Sequence, residues 1–253
     1  MILAARLAND QSVMTAWSVI ASPELCGILA EQGFDAVTVD MQHGGHTEET
    51  AFRSAFQISH AGKPALLRIP VGRFDLASRA LDQGFEAVIA PMINSASDAR
   101  AFADAMKYPP LGERSWGLGQ ALQIHREHTA ASYFKAANRQ TLAIAMIETR
   151  AALGVLDDIL AIGGIDAVFV GPSDLSISWL NGEGIDPDLP AMQTTMADVA
   201  RRARAAGKHA ATFAVDPSRA RAYTAMGYSL TALFTDAAVV KAGSEVFLAL
   251  ARD

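Results

Sequence analysis

Two acidic residues each follow a short apolar run of this 253-residue chain. Glu148 comes directly after Leu142–Ile147, and Asp174 comes after Ala167–Val170 and a Gly-Pro-Ser step. A buried strand that ends in an acid places a charge at the rim of a core, where α/β proteins assemble their active sites. Two carboxylates at one rim would suit an oxygen-ligated divalent cation.

Other polar side chains stand at the ends of other apolar runs. Asp40 and His43 follow the second run, and Arg68 ends the third. His43 is a candidate acid or base. A guanidinium at the end of a buried strand needs an anionic partner, which is either protein or substrate. Trp17 lies within the first run. The set predicts a divalent metal beside a proton-transfer group.

Each of these residues also has a purely structural interpretation. Glu148 could cap the next helix or pair with Arg150, and Asp174 could be the N-cap of a short helix. His43 precedes Gly44 and Gly45, which suit the close approach of a ligand and equally suit a turn. Their shared position after strands favours a common site.

A repeated phrase organises the chain. Gly33-Phe34-Asp35-Ala36-Val37 recurs with small changes at 84–88 and 164–168. A glycine that can close a helix, a polar step and a β-prone run are typical of the junction between a helix and the next strand. The predicted strands are Met14–Ile20, Ala36–Met41, Ala65–Ile69, Ala87–Met92, Leu142–Glu148, Ala167–Gly171, His209–Ala214 and Leu230–Thr235. The predicted amphipathic helices are Glu48–Ser59, Leu76–Gln83, Ala96–Met106, Leu153–Ile162, Met192–Ala206 and Ser218–Met226.

These strands are almost continuously apolar, as expected for a parallel sheet covered on both faces. Eight units in about 250 residues is the usual size of a (β/α)8 TIM barrel. An open doubly wound sheet is the alternative, but the even alternation favours closure. We therefore predict a single α/β barrel domain over residues 1–253.

Composition excludes several classes of protein. The net charge is −6 and no run of Lys or Arg could follow phosphates, so a nucleic-acid partner is not expected. No Walker loop, Gly-x-Gly-x-x-Gly or Gly-x-Ser-x-Gly motif supports a nucleotide cofactor or a serine hydrolase. The single cysteine, Cys26, is expected to be a buried thiol. No signal-peptide pattern or run of about 20 apolar residues is present, so a cytoplasmic protein with no membrane contact is expected.

Lysine placement bears on the type of chemistry. Schiff-base catalysis in a barrel needs a lysine near the active rim. Of five lysines, Lys63 and Lys208 precede strands, and the other three lie in helices or loops. A Schiff base is therefore not expected, and a metal would have to act as the electron sink. His125 and His128 could bind a metal together, but an exposed polar helix is the preferred interpretation.

Four segments resemble the HpcH/HpaI family of class II pyruvate aldolases. They are Val39–His43, Tyr108–Arg114, Ile147–Arg150 and Gly171–Ser176, and the resemblance runs from about Trp17 to beyond the eighth predicted strand. It implies a barrel of the phosphoenolpyruvate/pyruvate superfamily. The last helix is usually exchanged between subunits, and the oligomer is usually a hexamer built as a trimer of dimers.

The resemblance also implies Mg²⁺, Mn²⁺ or Co²⁺ held by Glu148 and Asp174. The reaction would be reversible aldol cleavage of 4-hydroxy-2-oxo acids to pyruvate or hydroxypyruvate and an aldehyde, through a metal-stabilised enolate. Arg68 would lie against the oxygen on which charge develops. His43, oriented by Asp40, would move the proton of the hydroxyl from which the aldehyde forms.

Further roles also rest on the resemblance alone. Asp82 matches an acid that reaches the neighbouring subunit's site and supports the histidine and the arginine, whereas the sequence by itself favours an exposed helix-end acid. Ser173 would donate its backbone N–H to the substrate carboxylate, and Trp17 would line the pocket. Met146 stands where the family often has Gln, and Trp116 adds bulk near the expected entrance. Because of these two differences, the sequence does not identify the oxo acid and the aldehyde of the aldol reaction.

Two other functions compete with the aldolase. A CoA-ester lyase of the citrate-lyase β or malyl-CoA type would be expected to need an extra C-terminal segment or a cationic surface for the CoA phosphates. A non-catalytic barrel that binds oxo acids would be expected to have lost part of its site. Glu148, Asp174, His43 and Arg68 are all present.

Overall fold

The structure is a computed structural model that describes residues 2–252. Its eight parallel strands form a closed barrel in chain order, with the eighth strand paired to the first. The strands are Val13–Ser18 (β1), Ala36–Asp40 (β2), Ala65–Arg68 (β3), Ala87–Ala90 (β4), Leu142–Ile147 (β5), Ala167–Val170 (β6), His209–Ala214 (β7) and Leu230–Thr235 (β8). The predicted (β/α)8 TIM barrel is confirmed.

Helices alternate with the strands and surround the barrel. They are Leu3–Ala8 (α1), Pro23–Glu31 (α2), Glu48–His60 (α3), Phe74–Asp82 (α4), Ala96–Met106 (α5), Ala121–Ile124 (α6), Ala130–Gln140 (α7), Arg150–Gly154 (α8), Leu156–Leu160 (α9), Pro172–Trp179 (α10), Pro190–Ala205 (α11), Ala220–Met226 (α12) and Asp236–Arg252 (α13). A 3₁₀ turn spans Pro217–Arg219. None of the helices described over 2–252 is long and apolar enough to cross a bilayer.

Residue alternation along each strand decides which side chains reach the barrel interior. In β5, Leu142, Ile144 and Met146 belong to the cluster inside the barrel, whereas the intervening residues pack against the helices. Successive side chains of a strand point to opposite faces. Glu148 therefore continues the inward series at the rim. The same alternation puts Arg68 inward, two residues after Leu66 of the interior cluster.

Local signals explain most helix starts. Thr47 caps α3 in a reciprocal capping box with Thr50, and Thr129 does the same for α7 with Ser132. At helix ends, Gly84 and Gly227 adopt the left-handed conformation predicted for these junctions, with φ of 93° and 104°. Gly33 and Gly164, in the other two copies of the repeated phrase, do not, and there the prediction is wrong.

Several predicted boundaries are corrected by the structure. The strand predicted over Ala87–Met92 ends at Ala90, because Pro91 cannot donate to a ladder and Met92 is left-handed, with φ of 55°. The helix predicted over Leu153–Ile162 is two short helices, α8 and α9. The exposed polar helix expected around His125 is wrong, since α6 ends at Ile124 and His125 is buried. Cys26 is buried, as predicted.

Candidate active site

A cavity of about 210 Å³ opens at the carboxyl ends of the strands. Its polar side is formed by Asp40, His43, Arg68, Ser173 and Asp174. These residues come from the ends of β2 and β3, the β2–α3 loop and the first turn of α10. The barrel therefore brings together five of the residues singled out from the sequence.

Asp40 and Arg68 form a two-point ion pair inside this rim. Arg68 donates from Nε to Asp40 Oδ1 at 2.9 Å and from Nη2 to Oδ2 at 2.6 Å. Their strands pair with these two residues in register, which sets the geometry. The indole Nε1 of Trp17 also donates to Asp40 Oδ2, at 3.2 Å, and the Arg68 guanidinium lies 4.9 Å from the Trp17 ring centroid. Among residues 2–252 Arg68 Nη1 makes no hydrogen bond, so it remains available to a ligand in the cavity.

The electrostatics of the pair keep Asp40 ionised. Burial disfavours the charged carboxylate, but the hydrogen bonds and charge of Arg68 outweigh burial and hold the pKa of Asp40 below its ordinary value. Asp40 contacts the backbone of the loop that carries His43. Its Oδ1 accepts the N–H of Gln42 at 3.0 Å and the N–H of His43 at 3.4 Å. The carboxylate thus fixes Arg68 directly and shapes the turn that carries His43, rather than bonding to the imidazole ring.

Glu148 is a buried carboxylate held at one oxygen. Its Oε1 accepts the backbone N–H of Met92 at 2.7 Å. Met92 presents this N–H from a left-handed conformation that β-carbon residues rarely adopt, which marks a constrained position. Oε2 accepts no hydrogen bond from residues 2–252, and it lies so close to Gly171 that a Cβ there would be 2.8 Å away. Glycine at 171 therefore keeps space beside this oxygen.

Glu148 and Asp174 are suited to hold a divalent cation. Burial raises the pKa of Glu148, and the nearby charge of Asp174 raises it further, against the Met92 N–H and Arg68. A cation between the two carboxylates would relieve this repulsion. Residues 2–252 contain no group of three or more His, Cys, Asp or Glu side chains placed to hold a metal. Two carboxylates, with water and a ligand completing the shell, fit Mg²⁺-type cations better than zinc.

Another part of the cavity wall is apolar. It consists of Trp17, Met146, Phe169 and Phe213. Trp17 meets Phe213 edge-on at 5.5 Å between ring centroids and is tilted against Phe169 at 5.8 Å. No lysine is among the described residues that line this cavity. A small ligand in the cavity would therefore contact both charged groups and apolar side chains.

The start of α10 supplies backbone donors. Pro172 is its first residue and has no N–H, while Leu175 N–H bonds to Gly171 C=O. The N–H groups of Ser173 and Asp174 are therefore the first-turn donors without an intrahelical acceptor. Ser173 lines the cavity, so this helix start is placed to accept an anionic group.

Asp82 lies outside this cavity. It ends α4, which runs back from β3 to the start of β4, so Asp82 lies at the opposite edge of the barrel. Its Oδ1 accepts from Arg114 Nη2 at 2.7 Å, and burial raises its pKa. The expectation of an exposed helix-end acid is thus wrong, and the role of Asp82 in a second subunit stays a prediction.

Sequence reasoning missed two residues of the site region. Met92 could not be identified from the sequence, because neither its residue type nor its spacing indicates a left-handed backbone whose N–H bonds to Glu148. Asp236 could have been identified, since it is an acid directly after the run Leu230–Thr235, and the rule that selected Glu148 would have selected it. It is buried, and its carboxylate accepts from Ser18 and from the backbone of the β1–α2 segment.

Comparison with known proteins agrees with this geometry. The model of the family described as HpcH/HpaI aldolase/citrate lyase matches residues 13–242. A hydroxypyruvate/pyruvate aldolase of Roseovarius nubinhibens is 31% identical over 230 residues, which cover 91% of this chain and 88% of the relative. A 2-keto-3-deoxy-L-rhamnonate aldolase of Klebsiella pneumoniae is 33% identical over 230 residues, with 91% and 85% covered.

A solved structure has the same architecture. The HpcH/HpaI aldolase of Desulfitobacterium hafniense superimposes with a TM-score of 0.88 at 28% identity, over 99% of this chain and 96% of that one. The resemblance stated from the sequence is confirmed. The chain belongs to the HpcH/HpaI aldolase/citrate lyase family, and it is a carbon–carbon lyase.

Proposed function

We propose that the protein is a class II, divalent-metal-dependent aldolase. It reversibly cleaves 4-hydroxy-2-oxo acids to pyruvate or hydroxypyruvate and an aldehyde. The observation that carries this proposal is the free Oε2 of buried Glu148 at the rim that also holds Asp174, His43 and Arg68. The names of the relatives, which act on pyruvate, hydroxypyruvate and a 2-keto-3-deoxy acid, support this substrate class.

Glu148 and Asp174 would hold Mg²⁺, Mn²⁺ or Co²⁺. When bound, such a cation polarises the keto group of the oxo acid and makes the hydrogens at C3 more acidic. The N–H of Ser173 binds the substrate carboxylate at the start of α10. Arg68 directs Nη1 at the keto oxygen, while Asp40 holds its other two donor groups.

His43 handles the proton of the C4 hydroxyl in this proposal. In cleavage it takes that proton as the aldehyde forms, and in condensation it returns it, directly or through one water. His43 lines the cavity and is exposed, so an aldehyde can approach it from solvent. Trp17 and its apolar neighbours form an apolar part of the cavity wall, and Trp17 also contacts the Asp40–Arg68 pair.

The test is deuterium exchange into the methyl group of pyruvate, followed by proton NMR in D₂O with Mn²⁺ or Mg²⁺ and then with excess EDTA. Metal-dependent exchange that is lost in Glu148→Gln and kept in Glu49→Gln, an exposed acid of α3, is expected. The absence of exchange with pyruvate and hydroxypyruvate under every metal would exclude the aldolase. Turnover of CoA esters would then be measured.

We also propose that the active form is a homo-oligomer, a hexamer built as a trimer of dimers. The helix α13 supports this, because Val246, Phe247 and Leu250 on it are 58%, 75% and 70% exposed. In such an assembly Asp82 would act in a neighbouring site. Mixing the separately inactive variants Glu148→Gln and Asp82→Asn should then restore activity in mixed oligomers, and no recovery would contradict the shared site.

A further inference from the structure

A buried polar network joins the start of α13 to the loop that carries His43. Asp236, the first residue of α13, is 1% exposed. Its carboxylate accepts the Ser18 hydroxyl at 2.8 Å, the Val19 N–H at 3.0 Å and the Ile20 N–H at 3.1 Å. It also accepts the N–H of Ala237, at 2.8 Å. Four neutral donors thus compensate the burial of this charge.

Asp236 holds the end of β1 and the residues after it in one position. Three of the four donors belong to Ser18, Val19 and Ile20. Val19 lines the cavity, as does Thr235, the residue that precedes Asp236. The Thr235 hydroxyl in turn accepts the N–H of Ala238 in the first turn of α13. The helix start and the cavity wall are therefore one bonded unit.

The first connection to His43 runs through Val19. The Val19 N–H is bound by Asp236, and its C=O accepts the N–H of Gly45 at 2.8 Å. A Cβ at Gly44 would lie 3.0 Å from the Val19 Cα and 2.3 Å from the Asp40 carbonyl oxygen. The residue after His43 therefore fits tightly between Val19 and Asp40, and any shift of Val19 would displace it.

The second connection runs through Ser18 and His46. Ser18 Oγ lies 3.0 Å from His46 Nε2 and receives the Cys26 thiol at 3.2 Å. The single Ser18 hydroxyl proton is directed at Asp236 Oδ2, 2.8 Å away, with the Ile20 carbonyl as a longer acceptor at 3.4 Å. We therefore assign His46 as the donor from Nε2 to Ser18. His46 Nδ1 is buried without a hydrogen-bond partner among residues 2–252, and burial lowers the pKa of this imidazole. His46 is thus a neutral donor that ties the His43 loop to Asp236.

We propose that Asp236 is a positioning residue of the active site, which sets the place of His43 through Val19 and through Ser18 and His46. This inference rests on the proposed function, in which His43 moves the proton of the C4 hydroxyl. Asp236 is not among the residues that line the cavity. Its loss should therefore affect the step that needs His43 more than the step that needs Glu148, Asp174 and Arg68.

The test compares Asp236→Asn with Asp35→Asn. Asp35 is the control, because its carboxylate also accepts a backbone N–H of β1, from Met14 at 2.9 Å, although Asp35 is less buried and also pairs with Arg6. In Asp236→Asn the kcat of aldol cleavage should fall about tenfold or more, while metal-dependent exchange at the pyruvate methyl changes less than about threefold. In Asp35→Asn the ratio of the two rates should stay at the wild-type value.

A readout independent of activity accompanies the kinetics. In protein labelled at histidine Cε1 with ¹³C, the His43 resonance is assigned by its loss in His43→Ala. It should move or broaden in Asp236→Asn and stay in place in Asp35→Asn. Equal losses of cleavage and exchange, or an unmoved resonance, would overturn the proposal. If the wild type shows no exchange, the proposed function has failed, and the resonance alone decides whether Asp236 positions His43.

Should Asp236→Asn fail to fold, Ser18→Ala is judged by the same criteria. This variant cuts the link between His46 and Asp236 and keeps the backbone donors on the carboxylate. An unchanged rate ratio together with an unmoved His43 resonance in Ser18→Ala would likewise overturn the proposal.

Discussion

Asp40 and Arg68 are bonded by two parallel hydrogen bonds of 2.9 and 2.6 Å in a buried position, where their side chains are 1% and 10% exposed. The same two-point pairing occurs at the surface between Arg73 and Asp75, at 2.9 and 2.8 Å, with side chains 50% and 61% exposed. The chain thus contains one geometry in two environments. Because solvent screens only the exposed pair, the two ion pairs should contribute very different amounts to the free energy of unfolding.

We predict that loss of the buried pair destabilises the protein more than loss of the exposed pair. Asp40→Asn should lower the free energy of unfolding by about 3 kcal/mol or more, because it leaves a buried guanidinium without its counter-charge. Asp75→Asn should lower it by less than about 1 kcal/mol. Urea unfolding of both variants at pH 7 measures the difference. Equal losses would contradict the assignment of Arg68 to a desolvated site.

That stability difference should also depend on pH. The pKa of Asp40 is held below its ordinary value in the folded state. Its ionised form therefore stabilises the fold above the unfolded pKa, and this contribution disappears as the pH falls through the folded pKa. The gap between wild type and Asp40→Asn should accordingly narrow below about pH 4. A constant gap down to pH 3 would argue against a charge effect.

The barrel and its rim were predictable because both depend on local regularity. The repeated phrase marks the starts of β2, β4 and β6, and the other strands stand out as apolar runs of similar length. Alternation along each strand then determines which rim side chains point inward. Arg68 and Glu148 could be found this way since each ends an apolar run. The bidentate partner of Arg68 could not be chosen from the sequence, because it depends on the register between β2 and β3.

The remaining features arise from contacts distant in sequence. Met92 bonds to Glu148 across 56 positions, through a backbone conformation that no residue preference indicates. The burial of His125 comes from the Gly84 carbonyl and the Tyr133 ring, which the local polar pattern around it does not reveal. Local pattern therefore located the strand ends, and tertiary packing determined how the side chains there are bonded.

The second prediction concerns cation binding without substrate. Asp174→Asn should weaken Mn²⁺ binding at least about tenfold, because one of the two carboxylates proposed to hold the cation becomes neutral. Asp216→Asn is the control, an exposed aspartate that follows β7 by two residues and whose carboxylate accepts from Ser218. Titration followed by Mn²⁺ electron paramagnetic resonance gives both affinities. Equal affinity in wild type and Asp174→Asn would remove Asp174 from the metal site.

The third prediction is a pH dependence of stability caused by His125. Burial lowers the pKa of this imidazole to about 4 in the folded protein. The unfolded chain, with a pKa near 6.5, binds the proton first, so stability decreases as the pH falls from about 6.5 towards 4. At pH 5 the loss should be about 2 kcal/mol.

Wild type, His125→Gln and His60→Gln are compared by urea unfolding at pH 8 and pH 5. His60 is exposed at the end of α3 and serves as the control. The decrease in stability should shrink in His125→Gln and persist in His60→Gln. The same decrease in all three proteins would mean that His125 is not responsible for it.

The fourth prediction separates proton transfer at the hydroxyl from proton loss at C3. His43→Ala should lower kcat for aldol cleavage by about 10²- to 10⁴-fold, the usual contribution of a general acid or base. Exchange at the pyruvate methyl should fall much less, because Glu148, Asp174 and Arg68 are untouched. His60→Ala should change neither rate.

If exchange fell as far as cleavage, His43 would have to act at C3 itself, and the proton at the hydroxyl would need another acceptor at the same cavity. Asp174 and Asp40 are the carboxylates that line it among residues 2–252. Asp40 is already bonded by Arg68 and Trp17, and Asp174 is proposed to hold the cation, so that outcome would point to a water in the cavity as the acceptor.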